Sequence, residues 1–157
     1  MAISIAYSLV GSGWSRCVVE DGEAKVELSA SYLSDALANL ILGATAALSG
    51  FRSCTFSFDE EPGEYRWVVQ VAGPDGVRID VLEFEEMWSE RPDSDGKRLF
   101  STHCTGLMFA KAVESAASTV LKEHGLEGYK EKWVEHSFPE HQLEALRQCI
   151  RASENDD

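Results

Sequence analysis

Residues 54 to 84 read CTFSFDEEPGEYRWVVQVAGPDGVRIDVLEF, and this stretch decides the fold. Cys54, Phe56 and Phe58 alternate with polar residues, the same spacing returns in Tyr65, Trp67, Val69 and Val71, and again in Val77, Ile79 and Val81. A period of two puts one set of side chains on one face of an extended chain, so each run predicts a half-buried strand. Between the runs stand Glu61-Pro62-Gly63-Glu64 and Gly73-Pro74-Asp75-Gly76. Pro and Gly supply turn geometry, and connections this short make consecutive strands antiparallel neighbours. Leu82 and Phe84 fall on the opposite parity, which predicts a bulge or a strand whose apolar side changes face.

Working outward, Ile3, Ile5, Tyr7 and Leu9 alternate up to Gly11-Ser12-Gly13, and a second run begins at Trp14. Asp21-Gly22 suits a tight hairpin turn, after which Ala24, Val26 and Leu28 alternate with charged residues. The period then changes. Leu33, Leu37, Leu40, Ile41, Ala44 and Leu48 recur at three and four, the stripe of a helix that Gly50 closes. Leu99 to Cys104 predicts a last strand, and Phe109, Ala110, Val113, Ala116, Ala117, Val120 and Leu121 share one helical face before Gly125. Leu126, Tyr129 and Trp133 fit a short helix; Ser137 and Pro139 precede a final one carrying Leu143, Leu146 and Ile150.

This order predicts an α+β fold: one antiparallel sheet of six to seven strands, one helix inserted after the third strand, and two to three C-terminal helices, all packed on one sheet face. Residues 1–151 are expected to form a single domain and residues 152–157 an acidic tail. Leu37, Ile41, Phe56, Trp67, Ile79, Val113 and Leu121 are the expected core.

The 157 residues carry 27 Asp and Glu against 14 Lys and Arg, a net charge of -13. Such a balance repels phosphate backbones and anionic lipid, so neither nucleic acid nor a membrane surface is an expected partner. The first twenty residues lack the basic segment of a secretory signal, and the most apolar window, Ala36 to Leu48, is too short to span a bilayer. Cys17, Cys54, Cys104 and Cys149 are widely spaced. A cytoplasmic protein with reduced thiols is the expectation.

Between Asp59 and Asp95, twelve acidic residues oppose Arg66, Arg78 and Arg91, a local balance of -9. That segment predicts a negative field on turns at one sheet end or edge, and with it a docking surface for a basic protein. Asp59, Glu60, Glu61, Glu64, Glu85, Glu86 and Trp88 are the partner-binding candidates; the competing reading is a solvated rim that keeps the protein soluble. Phe56, Phe58, Tyr65 and Trp67 have the parity of a stacking platform, but with Arg66 alone beside them they read as core.

Other candidates carry less chemistry. His103 and Cys104 are adjacent on a strand and must face opposite sides, so they cannot act as base and nucleophile. His136 and His141 lack metal-ligand spacing, and Glu135, His136 and Glu140 have no nucleophile beside them. Asp93-Ser94-Asp95-Gly96 begins like a calcium loop, yet the closing acid would have to be Cys104. No catalytic residue, metal or cofactor is therefore assigned.

Three stretches, YLSDAL (32–37), DEEPGEYRW (59–67) and EGYKEKWVEHSFP (127–139), resemble segments of small acidic bacterial proteins without an assigned function. The resemblance implies bacterial origin and an α+β fold and supplies no catalytic residue. In size and charge alone the chain is also similar to the immunity proteins that neutralise bacterial toxins. The leading expectation is a non-enzymatic protein-binding domain, of which an immunity-type inhibitor is one form, engaging a basic partner through acidic turns. The alternative is a small-molecule binder or enzyme with a pocket between sheet and C-terminal helices, lined by Trp88, His103, Trp133 and His136. A homodimer formed through the sheet face that the helices leave bare is a third arrangement.

Overall fold

A computed structural model describes residues 2–155. Its element order is β1 (Ser4–Val10), β2 (Trp14–Glu20), β3 (Lys25–Ser31), α1 (Ala36–Leu48), β4 (Ser53–Asp59), β5 (Glu64–Val71), β6 (Gly76–Phe84), β7 (Lys97–Thr105), α2 (Gly106–Trp133) and α3 (Glu140–Asn155). The α+β class and the antiparallel meanders follow the alternation. The single sheet of six to seven strands does not: β1-β2-β3 and β4-β5-β6-β7 are two sheets.

The reason lies at the free edge of β4. Its outward backbone groups are taken by side chains near the start of α1, where Asn39 Nδ2 donates to the Ser57 carbonyl at 3.1 Å and the Asp59 amide donates to Ser34 Oγ at 3.0 Å. Those bonds satisfy groups that would otherwise bond the backbone of β3. The sheets communicate through side chains instead, with Ser29 Oγ donating to Glu60 Oε2 at 3.0 Å.

One hydrophobic cluster joins the inner faces of both sheets to all three helices. Leu37, Ile41, Trp67, Ile79 and Val113 are completely buried in it, while Phe56 and Leu121 are half-buried against its margin. α1 lies on β4 and β5, α2 on β1 and β7, and α3 closes the layer against α1 and α2. The contact between α1 and the sheet is tight enough that a Cβ on Gly43 would run into the Phe56 ring.

α2 begins where Thr105 Oγ1 accepts from the Met108 amide at 3.0 Å, and it is broken at Gly125, whose φ of 67° and ψ of 178° are not helical. The expected short helix is thus the second limb of α2. It is pinned to the β1-β2 turn by the Gly13 amide, which donates to the Lys132 carbonyl at 2.7 Å. The tail expected from residue 152 overlaps α3, which continues to Asn155; residues 156 and 157 lie outside the described residues. No helix among the described residues is long and apolar enough to cross a membrane.

Candidate functional site

The parity change at Leu82 and Phe84 builds the second face of the β4–β7 sheet. Leu82 and Phe84 point away from the main core and form a small cluster with Val68, beside a register shift where Val81 pairs with Phe100 but Leu82 with Arg98. The chain between β6 and β7 folds back toward this face and is held by Arg66. Its Nη1 donates to the Arg91 carbonyl at 2.8 Å and to Asp93 Oδ1 at 3.0 Å, and its Nη2 donates to the Ser89 carbonyl at 3.0 Å. The guanidinium also stacks 4.0 Å from the centre of the Phe84 ring. A buried arginine with these partners is a fixed clamp, because its planar fork matches several acceptors at once.

This return brings two acidic stretches together. Glu64 pairs with Phe84 in the ladder, so the β4-β5 turn and the chain after β6 share one end of the sheet, and the Met87 amide donates to the Pro62 carbonyl at 2.9 Å. Gly63 lies so close that a Cβ there would sit 2.5 Å from the Phe84 carbonyl oxygen. Glu61, Glu85, Glu86 and Trp88 are exposed at this end, Glu60 is half-buried, and Asp59 and Glu64 are buried. All seven candidate residues therefore gather at one place, but they divide into an exposed rim and a buried pair beneath it.

The buried pair faces a groove of about 480 Å³ lined by Asn39, Ser57, Asp59, Glu64, Arg66 and Trp88. Asp59 and Glu64 are cross-strand partners. Trp88 Nε1 donates to Asp59 Oδ2 at 3.0 Å, while the residue as a whole is 71% exposed. Trp88 has a φ of 55° and Glu61 one of 46°, both in the left-handed region that side-chain-bearing residues rarely occupy. Glu64 approaches Arg66 at 3.7 Å, and its Oε1 has no hydrogen-bond partner.

Burial raises the Asp59 carboxyl above the usual range, the Trp88 bond opposes this, and the nearby Glu64 and Glu61 charges add to the rise. Beside it, burial first and Glu60 second push the Tyr65 phenol up to about 12.

The remaining candidates stay apart. His103 is exposed and Cys104 buried on opposite faces of β7. Trp133 is fully buried in the core with its ring tilted against Tyr129, whereas Trp88 stands on the far side of the sheet. His136 Nδ1 lies 3.7 Å from Asp35 Oδ2, so the four residues named for a pocket under the C-terminal helices do not share one. Among the described residues no group of three or more His, Cys, Asp and Glu has metal-binding geometry. Cys17, Cys54, Cys104 and Cys149 are free, and burial pushes the Cys17 thiol up to about 12 and Cys104 to about 11. The bare face of the β1–β3 sheet carries Ser4, Ser8 and an Arg16–Glu27 ion pair of 2.7 Å.

No protein-family model matches the chain, and no curated protein does. Among solved structures the chain is similar to one from the CdiA-CT/CdiI toxin and immunity complex from Enterobacter cloacae, with a TM-score of 0.49 and 12% identity over 75% of this chain and 99% of that chain.

Proposed function

We propose that this protein is a non-enzymatic binding domain whose acidic sheet end docks a basic protein partner. The observation that carries the reading is the convergence of the β4-β5 turn with the chain after β6, which concentrates Glu60, Glu61, Glu85 and Glu86 around one exposed indole. A solvated rim has no need of a tryptophan held outward in a strained backbone conformation. An exposed aromatic set among carboxylates is the composition of a docking site, because aromatic area anchors a partner while like charges steer its approach. Inhibition of a basic toxin, the role of the proteins it resembles in size and charge, is the specific form of this reading. Bacterial origin, a cytoplasmic setting and the single domain belong to the same proposal.

The immobilised protein, exposed to lysate of its own cell at low salt, is expected to retain a basic protein that is released as salt rises. The variant carrying Glu60→Gln, Glu61→Gln, Glu85→Gln and Glu86→Gln is expected not to retain it. Identical retention by both proteins, or retention insensitive to salt, contradicts the reading.

A further inference from the structure

We infer that the groove between Asp59, Glu64 and Trp88 receives one arginine side chain of the docked partner, with its guanidinium on the carboxylate pair and against the indole. The inference rests on the acidic docking end proposed above and assigns its anchor. Exposed carboxylates bind cations weakly because water screens them, so the rim alone gives attraction without position. The groove differs in three respects.

Glu64 is 4% exposed and lines the groove, and its Oε1, buried 3.7 Å from Arg66 Nη2, accepts no hydrogen bond. A buried acceptor left open in this way is unfavourable until a donor fills it. Asp59 sits opposite it in the ladder, at the cross-strand spacing that places two carboxylates within reach of one planar fork. Trp88 supplies an exposed aromatic surface at the mouth, and its bond to Asp59 fixes the ring relative to the carboxylate.

Arg66 is the counterion of Glu64 but does not hydrogen-bond it, since its Nη2 stands 3.7 Å from Glu64 Oε1. Its terminal nitrogens are engaged by Ser89, Arg91 and Asp93, and its face is covered by Phe84. A guanidinium fits better than an ammonium because it is planar, stacks on indole and offers several donors in one plane.

The test uses the whole chain labelled with ¹⁵N at tryptophan and three capped tripeptides, Gly-Arg-Gly, Gly-Lys-Gly and Gly-citrulline-Gly. The four indole N–H signals are distinct probes, and loss of one in Trp88→Phe identifies Trp88. The arginine peptide is expected to shift the Trp88 signal saturably and leave Trp67 and Trp133 unmoved. Lysine should bind several-fold more weakly, and citrulline, which keeps the shape without the charge, should have no effect. Glu64→Gln is expected to weaken the arginine peptide about tenfold, the scale of one lost charge-assisted bond. Unchanged Trp67 and Trp133 signals in that variant show that the fold is intact. No shift at Trp88, or an equal response to lysine or citrulline, overturns the assignment. The docking reading fails separately, when partner retention ignores salt and the rim substitutions; if those still matter while the peptides do not bind, only the anchor is wrong.

Discussion

Asp59 and Trp88 hold one another in place, and the arrangement has a thermodynamic signature. The carboxyl's pKa is raised in the folded protein, chiefly by burial, so above its folded pKa the ionised group opposes folding. As pH falls through that value toward the ordinary carboxylate range, the folded state takes up the proton first and this contribution improves stability. Asp59→Asn keeps an oxygen for the indole N–H and removes the charge. It is expected to be more stable than the natural protein at neutral pH, with the advantage shrinking as pH falls and vanishing well below pH about 4, where Asp is neutral in both states. Urea denaturation of both proteins across pH checks this. An advantage that stays constant, or one that grows on acidification, contradicts it. The same residue shows the limit of reading a chain by composition. Asp59 and Glu64 stand in the sequence as two more carboxylates in an acidic run; that strand pairing buries both, while Glu61, Glu85 and Glu86 remain outside, depends on partners that are distant along the chain.

At the scale of elements, the connection between β6 and β7 turns on Arg66. In the sequence Arg66 is the lone cation beside a row of aromatics, which argued correctly that Phe58 and Trp67 are core and gave no hint that its guanidinium clamps Ser89, Arg91 and Asp93. The visible clue was the parity of Leu82 and Phe84, since apolar residues on a second face need a cover. The division into two sheets was hidden for a related reason: alternation reveals strands, but their edge pairing here is decided by single side chains, Ser34 and Asn39. Replacing Arg66 by Ala should destabilise the fold by about 3 kcal/mol, because it leaves the buried Glu64 charge without its counterion. It should also open the segment from Glu85 to Asp95 to protease before global unfolding. Arg66→Lys should recover only part of this, as a single ammonium cannot reach all the acceptors. Denaturation together with limited proteolysis decides it; a change below about 0.5 kcal/mol with no new cleavage would show that the clamp is incidental.

For the molecule as a whole, rigidity and charge are separated. The helices and the inner sheet faces form a common core in which Leu37 and Ile41 are fully buried, and Ile41→Ala should cost about 2 to 5 kcal/mol through lost burial and a residual cavity. The acidic end sits outside that core, so its exposed charges can change with little effect on stability. That separation makes the docking proposal directly measurable. Stopped-flow association of the purified protein with the basic partner isolated by salt-sensitive capture should be fast at low salt. It should slow as ionic strength approaches the physiological range, where the Debye length is about 8 Å. A threefold Gln variant at the exposed Glu61, Glu85 and Glu86 should associate about tenfold more slowly at low salt, while its resistance to denaturant stays within about 0.5 kcal/mol of the natural protein. An association rate that ignores both salt and these three substitutions would contradict the account.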